Sequence, residues 1–125
     1  MNKKDFVVEV AIELKKLGYR KNGFYWYKPM EEYILCVNVQ GSQWDKDDYY
    51  VELGVARSDS ACKNPTILHW IIRHRCNGAS GELNIMPSEF LTELDKFCQS
   101  LKNSSSVTEF LKQNHAVKVG NQYFL

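Results

Sequence analysis

Two stretches with strict alternation constrain this chain more than anything else in it. They are residues 33–40, Tyr-Ile-Leu-Cys-Val-Asn-Val-Gln, and residues 49–56, Tyr-Tyr-Val-Glu-Leu-Gly-Val-Ala. A period of two is the mark of a strand, because successive side chains point to opposite faces. In the first stretch Tyr33, Leu35, Val37 and Val39 share one face, and Ile34, Cys36, Asn38 and Gln40 share the other. In the second, Tyr49, Val51, Leu53 and Val55 lie opposite Tyr50, Glu52, Gly54 and Ala56. Apolar sheet faces need a cover, and the amphipathic segments able to supply it lie near the two ends of the chain.

The first of these spans about residues 5–17 and sets Phe6, Val10, Leu14 and Leu17 on one helical stripe, flanked by Val7 and Ala11. Gly18 follows as a left-handed terminator. Residues 19–23 read as a basic connector, and the aromatic run Phe24, Tyr25, Trp26, Tyr27 reads as a strand with Phe24 and Trp26 on one face. Residues 41–48 form a loop too long for the tightest hairpin, with Trp44 exposed and Asp45, Asp47 and Asp48 beside it. A polar connection over residues 57–65 precedes residues 66–76, whose β-branched content favours a fourth strand. That strand would place Leu68, Trp70, Ile72 and His74 on one face, and Ile67, His69, Ile71, Arg73 and Arg75 on the other. Residues 77–81 break the pattern. A helix then opens at Pro87 with the stripe Phe90, Leu91, Leu94, Phe97, Cys98 and Leu101. Ser106 and Glu109 have capping-box spacing for a third helix ending around Asn114, and the tail is either a hairpin about Gly120 and Asn121 or one extended edge strand.

The resulting expectation is a single α+β domain over residues 1–125. An antiparallel β-meander of four or more strands carries an N-terminal helix and two C-terminal helices, packed mainly on one face. With 125 residues and 44% hydrophobic content there is enough apolar surface for one core and no room for a second. The 16 basic and 15 acidic side chains give a net charge of +1, so no global field draws nucleic acid or membrane. No run reaches membrane-spanning length, and the opening residues lack the apolar core of a signal peptide, which leads to a cytoplasmic expectation. Cys36, Cys62, Cys76 and Cys98 are nowhere closer than fourteen positions, and contain no C-x-x-C element. Neither a metal site nor a disulfide framework follows from that spacing, and no cofactor is implied.

Residues 17–27, Leu-Gly-Tyr-Arg-Lys-Asn-Gly-Phe-Tyr-Trp-Tyr, with Val37-Asn38-Val39-Gln40-Gly41-Ser42 and Val51-Glu52-Leu53-Gly54, carry a resemblance. The chain resembles the bacterial domain of unknown function 4304 family, mainly over residues 5–56 and more weakly around residues 69–75. The family pattern is a helix ending in Gly, a basic-Gly-aromatic strand, an Asn-x-Gln-x-Ser strand end and a strand ending Asn-Leu-Gly. Glu52 stands here in place of that Asn, and Gly41 where a Lys is common. The family has no agreed activity, so the resemblance implies a fold and a bacterial origin. In size and composition the chain is also similar to small immunity proteins of interbacterial toxin systems.

Three groups of residues could carry function. Arg73 and Arg75 would form a cationic stripe with His69, able to hold a carboxylate or phosphate; alternatively they pair across strands with residues such as Glu52. Asn38, Gln40 and Gln43 make a polar line which, with Trp44 and the tyrosines 25, 27 and 50, suits a protein interface. Asp45, Asp47 and Asp48 lack the chelating order of a calcium loop, and read as solvated or as complementary to a basic partner. No phosphate-binding loop, nucleophile elbow or metalloprotease signature is present. The function expected is therefore a non-enzymatic cytosolic protein-binding domain, in its most concrete form an immunity protein neutralising a toxin. An RNA-binding module using a basic and aromatic sheet face is the alternative, an uncharacterised enzyme the third reading, and a homodimer formed through an open edge strand stays open.

Overall fold

The computed structural model describes residues 1–58, 62–77 and 84–125. Among these residues, seven strands form one sheet in the order β1-β2-β3-β4-β5-β7-β6. Helix α1 (Lys3–Lys16) leads into β1 (Arg20–Asn22), β2 (Tyr25–Pro29), β3 (Tyr33–Gly41), β4 (Tyr49–Arg57) and β5 (Ile72–Cys76). These five strands are an antiparallel meander. Helices α2 (Pro87–Asn103) and α3 (Val107–Gln113) follow, and the chain ends in the hairpin β6 (Val117–Val119) and β7 (Gln122–Phe124). Because α2 and α3 carry the chain back across one face, β7 returns parallel to β5. The sheet is thus mixed, with one parallel joint in a meander expected to be antiparallel throughout.

The alternation of the two longest strands is realised as read. Tyr49, Val51, Leu53 and Val55 are fully buried, and with Leu35, Val37 and Val39 they meet Phe6, Val10 and Leu14 of α1. Phe90, Leu94, Phe97 and Leu101 of α2 and Phe110 of α3 complete this core. Phe6 touches the Tyr49 ring at 4.7 Å and the Phe90 ring at 5.8 Å, which ties both long helices to β4. Burial of each such side chain contributes about 1.5–3 kcal/mol. Leu17, assigned to the α1 stripe by spacing, instead caps the helix in solvent, and Gly18 turns the chain with φ +92°.

Three expectations are corrected. The basic connector contains β1, whose side chains are all exposed, so no apolar alternation marks it. Residues 66–76 are not one strand: Ile67–His69 is a single 3-10 turn and β5 begins only at Ile72. Thr66 and the His69 ring close that turn at 3.0 Å, so His69 is outside the sheet and away from the arginine stripe. Trp70 accordingly lies on the face opposite Ile72 and His74, and Leu68 projects into solvent.

Trp70 packs directly over Gly54 and, with Ile67, Tyr27, Cys36 and Ala56, builds a second, smaller core on the face away from the helices. Its indole N–H donates to the Pro65 carbonyl, as does the Tyr27 hydroxyl at 2.9 Å. The reading of residues 77–81 as a break falls, except for Asn77, outside the described residues, as does that of residues 59–61 within the polar connection.

Candidate functional site

The second sheet face is covered at one end by Trp70 and open at the other, where β3, β4 and β5 present Gln40, Tyr50, Glu52, Arg73 and Arg75. The β3–β4 loop bends toward this end. A recess of about 300 Å³ results, lined by Gln40, Gly41, Gln43, Trp44, Tyr50 and Arg75. Trp44 is 85% exposed at its edge, and its backbone N–H donates to Ser42 Oγ, so the loop is held while the indole is bare.

The electrostatics of this face are set by Glu52, which is only 3% exposed. It accepts from Arg73 Nη2 at 2.8 Å and from Arg75 Nη2 at 3.2 Å. A buried carboxylate needs such partners to remain charged at tolerable cost. Cross-strand register explains the arrangement: Glu52 lies opposite Arg75, and Gly54 opposite Arg73. Arg75 also lies 4.5 Å from the centre of the Tyr50 ring, and Arg73 5.1 Å from that of Phe124. The alternative weighed for the two arginines, pairing with Glu52, is the one realised.

Of the interface residues expected from sequence, Gln40, Gln43, Trp44 and Arg75 are brought together around the recess, with Arg73 behind them. Asn38 is not available: it is 3% exposed between β2 and β4 and donates to the Phe24 carbonyl, leaving its Oδ1 buried without a partner among the described residues. Asp45 and Asp47 are exposed and Asp48 is half-buried, and all three take part in the loop's own hydrogen bonding. Asp45 accepts from the Asp47 N–H at 2.9 Å, the Asp47 carbonyl accepts from the Lys3 N–H, and the Asp48 carboxylate accepts from Asn84 Nδ2 at 3.0 Å. Their carboxylates do not converge as cation ligands.

The family model described as Domain of unknown function (DUF4304) matches residues 10–113. The chain belongs to this family. The match runs from within α1 to the end of α3, well beyond the first half to which the sequence resemblance was mainly confined. No curated protein and no solved structure matches the chain.

Among the described residues of this DUF4304 domain, no helix is long and apolar enough to cross a membrane. Among the same residues, one group could hold a metal ion: His74 and Cys76 of β5 with Glu93 of α2. His74 Nε2 lies 3.3 Å from Glu93 Oε1. Burial pushes the Cys76 thiol well above its ordinary range, and the Glu93 and Glu52 carboxylates add to that. Cysteine spacing could not reveal this cluster, since two ligands come from alternate positions of one strand and the third from a helix seventeen residues on. Only the i, i+2 pairing of His74 with Cys76 on one strand face was visible in the sequence.

Proposed function

We propose that this DUF4304 domain is a non-enzymatic, cytosolic protein-binding domain that holds its partner on the recess between the β3–β4 loop and the open end of the second sheet face. The observation that carries this reading is Trp44, 85% exposed at the rim of a recess that also offers Gln40, Gln43, Tyr50 and Arg75. A tryptophan left so bare forgoes burial that a partner would supply, and Trp, Tyr and Arg are the residue types that dominate binding energy at interfaces. Asp45 and Asp47, both exposed in the same loop, give its rim a negative charge that suits a basic partner and accelerates encounter with it. The concrete form of the proposal is an immunity protein of bacterial origin whose acidic loop faces the basic groove of a nuclease toxin. RNA binding has less support, because Arg73 and Arg75 already share Glu52.

The test is capture of partners from the source cell's lysate by tagged wild-type chain and Trp44→Ala, with and without nuclease. One stoichiometric protein should survive nuclease treatment, and Trp44→Ala should weaken its binding by about 2 kcal/mol, roughly 30-fold, with an unchanged melting temperature. Retention that depends on nucleic acid, or a protein complex indifferent to Trp44→Ala, would sink the proposal.

A further inference from the structure

Strand alternation in β5 sends Arg73 and Arg75 to the open face and His74 and Cys76 to the helix-covered face, where α2 sets Glu93 against them. An imidazole nitrogen, a thiol sulfur and a carboxylate oxygen from these three residues all lie within 4.8 Å of one another. His74 Nδ1 and Glu93 Oε2 are both buried and have no hydrogen-bond partner among the described residues. The His74 Nε2–Glu93 Oε1 contact uses one atom of each side chain and leaves the other unpaired, so a hydrogen-bonded pair alone does not satisfy this cluster; a carboxylate that ligates through both oxygens and a water on Nδ1 would. The Phe97 ring lies beside the imidazole, with centroids 6.4 Å apart and planes 16° from parallel.

We propose that His74, Cys76 and Glu93 form a binding site for a zinc-class divalent cation, independent of the partner-binding surface on the other face of the sheet. The donor set selects the metal. Thiolate and imidazole suit zinc, whereas magnesium and calcium take oxygen ligands almost exclusively. Binding of the ion displaces the Cys76 thiol proton to solvent, and the resulting thiolate together with the Glu93 carboxylate offsets the charge of the dication. The geometry is close to what coordination requires. Bond lengths of about 2.0–2.1 Å at a tetrahedral ion place a ligand nitrogen and oxygen roughly 3.4 Å apart, against the 3.3 Å between His74 Nε2 and Glu93 Oε1. The same construction puts a sulfur roughly 3.6 Å from either, and the ligand atoms lie within 4.8 Å of one another, so the three side chains have at most roughly 1.2 Å to close. Three protein ligands leave a fourth position for water. His74 and Glu93 also line a recess of about 410 Å³ with Lys96, Ser100 and Asn114, through which water and the ion can enter.

The experiment titrates untagged, chelator-treated full-length chain with Co²⁺ and then Zn²⁺. One equivalent of Co²⁺ should produce a thiolate-to-cobalt charge-transfer band together with tetrahedral ligand-field absorption, and one equivalent of Zn²⁺ should bleach both. Cys76→Ser should abolish the charge-transfer band, Glu93→Gln should weaken Co²⁺ binding on the order of 100-fold, and Cys98→Ser should change neither. Absence of the band in the wild type, its persistence in Cys76→Ser, or its loss in Cys98→Ser would overturn the assignment. Should Cys76→Ser fail to fold, as circular dichroism would reveal, the half-buried Glu93→Gln decides alone: unchanged cobalt affinity refutes the site.

Discussion

Trp70 packs against β4 at Gly54, where a Cβ would overlap carbons of the indole's six-membered ring. The ring must move to admit even a methyl group, and moving it breaks the indole N–H bond to the Pro65 carbonyl. Gly54→Ala should therefore cost about 1–3 kcal/mol, the usual penalty for overfilling a packed site. Urea unfolding would measure it, and a midpoint equal to the wild type's would mean that Trp70 is not seated as described. Much of this neighbourhood was legible in the sequence. Alternation alone puts Gly54 on the same face as Glu52 and Ala56, and Glu52 was a recognisable partner for Arg73 and Arg75. The position of Trp70 was not legible, because nothing local shows that the strand begins after it. Asn38 failed for a related reason: its face is correct, but its burial depends on β2 and β4 flanking it on both sides.

At the scale of elements, sequence reading succeeded where a terminus carries its own chemistry. Gly18 ends α1, Pro87 opens α2, and Ser106 accepts from the Glu109 N–H at 3.1 Å to start α3. It failed for β1, whose Arg-Lys-Asn sequence is polar on both faces, as an edge strand can be. It also left the tail open between two forms. The hairpin forms because Gly120, with φ +61°, makes the turn, and because Gln122 Nε2 reaches the Ile67 and Trp70 carbonyls. Helix α3 is only seven residues long, so its cap matters more than in α1 or α2. Its single fully buried side chain, Phe110, meets Phe97 edge-on at 5.6 Å. Ser106→Ala should cost about 1 kcal/mol. Amide exchange should quicken in residues 107–113 while the centre of β3 and β4 keeps its protection; equal exchange in both would show that the cap contributes nothing.

For the whole molecule, one sheet seven strands wide holds a large helix-covered core on one face and a small one under Trp70 on the other. Layering of this kind was readable from composition and period, but the parallel β5–β7 joint was not, since it depends on where two helices return the chain. The same layering buries ionisable groups that carry no charge at neutral pH. Burial pushes the Tyr49 hydroxyl from its ordinary 10.0 up to about 12, with Glu89 and Glu9 adding to the shift, and the Cys36 thiol from 9.0 up to about 12. Tyr19 and Tyr27 are raised for the same first cause. In the unfolded chain these groups lose their protons near pH 9 to 10, while the folded chain keeps them. Between those values and about pH 12 the unfolded state binds fewer protons, so stability falls as pH rises. The contribution is fully present below pH 9 and each such group removes about 1.4 kcal/mol per pH unit once its unfolded form has ionised. Urea midpoints should accordingly be level from pH 7 to 8.5 and drop steeply between pH 9.5 and 11. Cys36→Ala, which deletes one of these groups, should flatten the part of the decline that begins nearest pH 9. A midpoint independent of pH up to 11 would show that water reaches these hydroxyls and thiols, and that the two cores are looser than their packing indicates.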